Sequence, residues 1–160
     1  MFHFENPLWA LCVRPSLSRV GLALGLGILS SACTPAFNWR DVTFDGLPVA
    51  ALLPCKPDRA TRMVPLAGVP RQMVMAGCKA GGATFTVAVV TVEGNGQLAQ
   101  VGAELKAVNK ATHSHYLSHG SVVVQASVYG QPQADGDGPG ALSTQAVETF
   151  FSGVKLVGAP

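Results

Sequence analysis

Thr84-Phe85-Thr86-Val87-Ala88-Val89-Val90-Thr91-Val92 is the stretch on which the fold turns. β-Branched residues dominate it. Phe85, Val87 and Val89 alternate with Ala88 and Val90, a period of two that belongs to a strand and not to a helix. The sequence before it offers partners. A first strand is expected over 39–44, and a short apolar strand over 49–53 stops at Pro54. Residues 61–66 and 72–79 read as a hairpin, because the Gly and Pro of Ala67-Gly68-Val69-Pro70 favour a turn. After residue 92 the period changes. Asn95-Gly96 reads as a cap, and Leu98, Val101, Leu105 and Val108 mark one stripe of a helix. Gly102 weakens that helix by up to ~1 kcal/mol against Ala, so it must lean on the sheet. Residues 121–129 form another strand, with Val122, Val124, Ala126 and Val128 on one face. A Gly/Pro/Asp loop over 131–140 follows. Leu142, Ala146, Phe150 and Val154 then trace a closing helix that Gly153 ends, and 155–157 add a last short strand. The expected class is α+β: an antiparallel sheet of about five to six strands covered by two helices.

The first third of the chain reads as an address. Residues 20–32 (VGLALGLGILSSA) are an uncharged run preceded by Arg14 and Arg19. At 1.5 Å per residue this run is too short to span ~30 Å of hydrocarbon, but it suits the apolar core of a secretory signal. It ends at Leu29-Ser30-Ser31-Ala32-Cys33, which resembles the lipobox of bacterial lipoproteins, with Ser30 where that motif usually has Leu. The resemblance implies diacylation of the Cys33 sulfur and cleavage just before it. Ser30-x-Ala32 also suits ordinary signal peptidase, which cuts the same bond and leaves Cys33 bare. Thr34 follows the cysteine in place of the Asp that tends to retain such proteins at the inner membrane, so the expected location is the periplasmic face of the outer membrane. The organisation is therefore a signal peptide over 1–32, a lipidated tether over 33–38 and one domain over 39–160.

Of the 160 residues, 48% are hydrophobic and only 12% charged, with a formal net charge of +2. Ordinary soluble domains carry about 25% charged residues. The low charge excludes an acidic or basic tail and a disordered solvating chain, and it offers no footprint for nucleic acid. Beyond Cys33 the balance is nine basic to eight acidic residues, without runs. The stretch Val49-Ala50-Ala51-Leu52-Leu53-Pro54-Cys55-Lys56-Pro57, the hairpin after it, and Ala83-Thr84-Phe85-Thr86-Val87 are together similar to small exported proteins of the PsbP-like superfold. The ending Glu148-Thr149-Phe150-Phe151-Ser152-Gly153-Val154-Lys155-Leu156 looks like the last helix of that group. Over 37–157 the chain resembles a lipoprotein family of β-proteobacteria. The resemblance implies a fold that hosts accessory and binding roles, and it brings no catalytic residues.

The chemistry of the chain reads mostly as structure. It holds no Gly-x-Ser-x-Gly elbow, Walker loop, Gly-x-Gly-x-x-Gly or His-Glu-x-x-His. Gly77 to Gly82 is expected to be a turn and not a phosphate cradle. Asp135-Gly136-Asp137-Gly138 lacks the further carboxylates of a calcium loop. Met73 and Met75 alternate on one strand face and, with Met63, suit packing better than Cu(I). The strongest alternative is Thr112-His113-Ser114-His115-Tyr116-Leu117-Ser118-His119. The segment reads first as a polar helix-to-strand connection with solvated histidines. On a strand, His113 and His115 would share a side, and His119 would approach across a turn; three imidazoles suit Zn²⁺ or Cu²⁺. With Cys12 removed and Cys33 acylated, Cys55 and Cys78 are the two thiols left in an oxidising compartment, so a disulfide is expected between them. The expected role is a non-enzymatic binding or assembly module with no cofactor. It is held to the membrane by its lipid and meets an envelope protein partner through loop 131–140, the 113–119 segment, or Trp39 and Arg40. The alternative is a periplasmic metal-binding protein using His113, His115 and His119.

Overall fold

The computed structural model describes residues 37–130 and 142–158. The expected signal peptide, Cys33 and the 131–140 loop lie outside the described residues. In chain order the elements are β1 (Arg40–Thr43), β2 (Val49–Leu53), β3 (Asp58–Leu66), β4 (Val69–Ala80), β5 (Ala83–Thr91), α1 (Leu98–Val108), β6 (His113–His119), β7 (Val122–Tyr129), α2 (Thr144–Ser152) and β8 (Lys155–Leu156). The class is α+β, and every strand pairing is antiparallel. The strands fall into two sheets where one of five to six was expected. A five-stranded sheet has the order β3-β4-β5-β7-β6, and a three-stranded sheet has the order β1-β2-β8.

The reason lies in β5 and β7. Both bury residues on their two faces, so each face of the large sheet needs its own cover. One face presents Phe85, Val87, Val89, Val124 and Val128 to a core shared with Val42, Leu53, Phe150 and Val154, from β1, β2 and the α2 region. Phe85 and Phe150 meet there edge to face, with ring centroids 5.2 Å apart. The other face presents Val90 and Val123 to Val101 and Leu105 of α1. The two helices therefore stand on opposite faces of the five-stranded sheet, and α2 shares its face with the small sheet.

Local chemistry explains the turns. The β3–β4 hairpin closes on two residues, Ala67 (φ 52°) and Gly68 (φ 73°), so Val69 and Pro70 belong to the strand and not to the expected four-residue connection. Leu66 and Val69 flank this turn, which makes the next pair, Pro65 and Pro70, a non-hydrogen-bonded one. A residue without an N–H loses nothing there. Asn95-Gly96 does not cap α1 as expected: a 3₁₀ turn over Asn95–Gln97 precedes the helix, and Gln97 stands at its N-cap without a side-chain bond. Val101 and Leu105 of the predicted stripe are buried, whereas Val108, at the helix end, is 70% exposed. In the closing helix Leu142, Ala146, Phe150 and Val154 are all buried, and Ser143 caps it by accepting a hydrogen bond from the Ala146 N–H at 3.1 Å.

Candidate functional site

The residues singled out from the sequence sort into three places. Cys55 and Cys78 are joined, with a Cα–Cα distance of 5.9 Å. The bridge ties Cys55, two residues beyond the end of β2 in the small sheet, to β4 in the large one. Trp39 is half-buried, stacks on Phe37 at 6.0 Å and packs against the main core, while Arg40 beside it is exposed. Phe37 also meets Phe85 edge to face at 6.5 Å, and the Asn38 N–H donates to the Pro54 carbonyl at 2.8 Å. The chain is thus docked onto the domain from Phe37 onward.

His113, His115 and His119 all stand on β6, an edge strand, opposite Val128, Ala126 and Val122. Strand alternation puts them on one face, the one that carries the main core, and His115 lies 6.0 Å from the Phe151 ring. No turn brings His119 back. It is four residues beyond His115 on the same strand, roughly 13 Å at ~3.4 Å per residue, whereas a metal ion binds imidazole nitrogen at ~2.0–2.1 Å. Among the described residues, no three His, Cys, Asp or Glu side chains converge as a metal set. His113 Nε2 is buried without a hydrogen-bond partner among the described residues. Met73 and Met75 share a strand face as expected. Met63 pairs with Gln72 and stands on the opposite face, 65% exposed.

A polar cluster that no motif announced lies on the α1 side. Asn109 donates to the Tyr116 hydroxyl at 2.8 Å and to Ser127 Oγ at 3.2 Å. Its carbonyl oxygen accepts from the Ala111 N–H at 2.9 Å and the Tyr129 hydroxyl at 3.3 Å. All four bonds of the amide are made, and they satisfy Ser127 beneath it, which is 1% exposed. This network fixes the α1–β6 connection and has no group left over for chemistry.

A cleft of about 330 Å³ lies beside the disulfide. Cys55, Lys56, Asp58, Gly77, Cys78, Lys79 and Thr84 line it. Each lysine directly follows a bridged cysteine, so the covalent bond that joins the sheets also brings Lys56 and Lys79 to one rim. Both are exposed. Sequence reasoning passed over them, although the repeated Cys-Lys dipeptide was the signal once the disulfide was drawn. Arg40, opposite Leu53, and Arg59, opposite Ala76, lie at the same end of the molecule. Comparison with protein-family models, curated proteins and solved structures found no match to this chain.

Proposed function

We propose that the chain is an exported lipoprotein of the cell envelope, acylated at Cys33 on the periplasmic face of the outer membrane. Its domain works there as a non-enzymatic binding or assembly module. The observation that carries this reading is the Cys55–Cys78 bridge, since structural disulfides belong to oxidising compartments outside the cytosol. It agrees with the signal read over 1–32. Two of the three stretches that resemble the PsbP-like group, 49–57 and 148–156, are neighbours: β2 pairs with β8, and Gly153 closes on Leu52.

Cys33 decides the proposal. A single acyl chain holds a protein to a membrane only marginally, whereas several anchor it stably. Wild type is expected wholly in the membrane fraction with the mass of an acylated chain beginning at Cys33, and Cys33→Ala released or stalled as a precursor. Equal solubility and equal mass of the two overturn the anchor. The partner is sought by crosslinking in the intact envelope from the 113–119 and 131–140 segments, where one or a few specific proteins are expected. Turnover of a small molecule by the purified protein, with no partner trapped, overturns the module. A melting temperature raised by Zn²⁺ or Cu²⁺ transfers the reading to the histidine alternative; none is expected.

A further inference from the structure

We infer that the end of the domain carrying the Lys56–Lys79 cleft is a membrane-facing surface, which rests on anionic phospholipid headgroups. This inference rests on the acyl anchor proposed at Cys33. Covalent reach is the first ground. Phe37 is docked against Phe85 and Trp39, and four residue steps separate it from Cys33. Fully extended, they cover at most about 14 Å. An anchor that short holds the end of the domain bearing Phe37 against the bilayer, and Asn38 is bonded to Pro54 at that same end.

Charge is the second ground. The strand registers place Arg40, Lys56, Arg59 and Lys79 at this end, against Asp41 and Asp58. Among the described residues that the registers and the cleft place here, that is four cations to two carboxylates. Lys56 and Lys79 flank one cleft that Thr84 also lines, residue types that donate to a phosphate. Asp58 lines the same cleft and keeps the attraction modest. Each cation near an anionic surface is worth about five-fold in membrane partition and is screened within a Debye length. Such a patch is too weak to bind alone, but it suffices to orient a domain that is already tethered.

The test uses the mature protein reconstituted into vesicles of phosphatidylcholine, alone or mixed with phosphatidylglycerol. A membrane-impermeant amine reagent then labels exposed lysines, which are read by peptide mass. Lys56 and Lys79 are expected to label several-fold more slowly on the anionic vesicles, and the difference to vanish in ~1 M salt, where the Debye length is ~3 Å. Lys155 is exposed and pairs with Ala50, toward the other end of β2, so its rate should not change. Lys56→Gln should weaken the salt-sensitive slowing at Lys79, and Lys79→Gln that at Lys56, while both variants keep the wild-type melting temperature. Equal labelling of Lys56 and Lys79 on both vesicles overturns the surface. Intact mass and flotation report the anchor separately. If Cys33 carries no acyl chain, its free thiol is coupled to maleimide-headgroup lipid in the same vesicles, and the lysine readout on this tethered domain supports the surface by protection and overturns it by the absence of protection.

Discussion

Gly153 and Gly102 show how one residue type answers opposite questions. A Cβ at Gly153 collides with the Leu52 side chain, because the end of α2 closes directly on β2. Its backbone is ordinary right-handed helix (φ −79°), so space and not conformation demands the glycine. Gly102 sits in α1 with nothing within 4 Å of the same position. Gly153→Ala should therefore lower stability by about 1–3 kcal/mol through overpacking, and Gly102→Ala should raise it by roughly 0.5–1 kcal/mol. Urea midpoints measured on both variants give the two signs. Asn109 makes the third case at this scale. Asn109→Ala removes four bonds and leaves buried Ser127 with one donor fewer, at an expected cost of about 1–3 kcal/mol. Amide exchange at Ala111 should quicken in that variant. A cost within ~0.5 kcal/mol, the usual range for a surface change, counts against the network.

At the scale of elements, the disulfide does the work of a missing hydrogen-bonded seam between two sheets. It closes a 23-residue separation in sequence, worth roughly 3 kcal/mol in the chain-entropy model. Cys55→Ser/Cys78→Ser is expected to lose about that much in equilibrium unfolding, with the loss reproduced in wild type by reductant. Two alkylatable thiols in protein produced in the periplasm remove the premise. The elements best read from sequence were those with a one-sided or strongly repeated pattern. β5 and β7 were plain in their β-branched runs, α2 in the spacing of Leu142, Ala146, Phe150 and Val154. β6 was harder. His113 to His119 is mostly polar, with one apolar anchor to each face, Leu117 and Tyr116, and it forms an edge strand, where the burial that marks a strand in sequence is weak. The second sheet was harder still. The short strands 40–43, 49–53 and 155–156 carry no signal of which sheet they join, since that choice is made by long-range packing on Phe85. The cleft followed the same rule: Cys55 and Cys78 were legible as a pair, but the lysines beside them gained meaning only when the pair was closed in space.

For the whole molecule, the two cores are the two faces of one sheet, and this binds their fates together. Val89 and Val90 are adjacent residues that belong to different cores, so neither core dissolves without exposing the strand that carries the other. The mature chain is expected to unfold in a single transition. Trp39 fluorescence reports the α2 side and the two tyrosines, Tyr116 and Tyr129, the α1 side, and their denaturation curves should superimpose. Separated midpoints count against a shared sheet. The docking of Phe37 and the bridge at Cys55 carry a mechanical consequence. Any pull between the bilayer and the domain enters through Phe37 and β1, whose four registered pairs hand the load to β2. From the end of β2 it crosses Cys55 to Cys78 and reaches β4, a long strand hydrogen-bonded on both sides. The load path therefore runs through one covalent bond into a strand paired along both edges, and an oxidised domain should withstand tugging on its anchor that peels a reduced one apart from β1 inward.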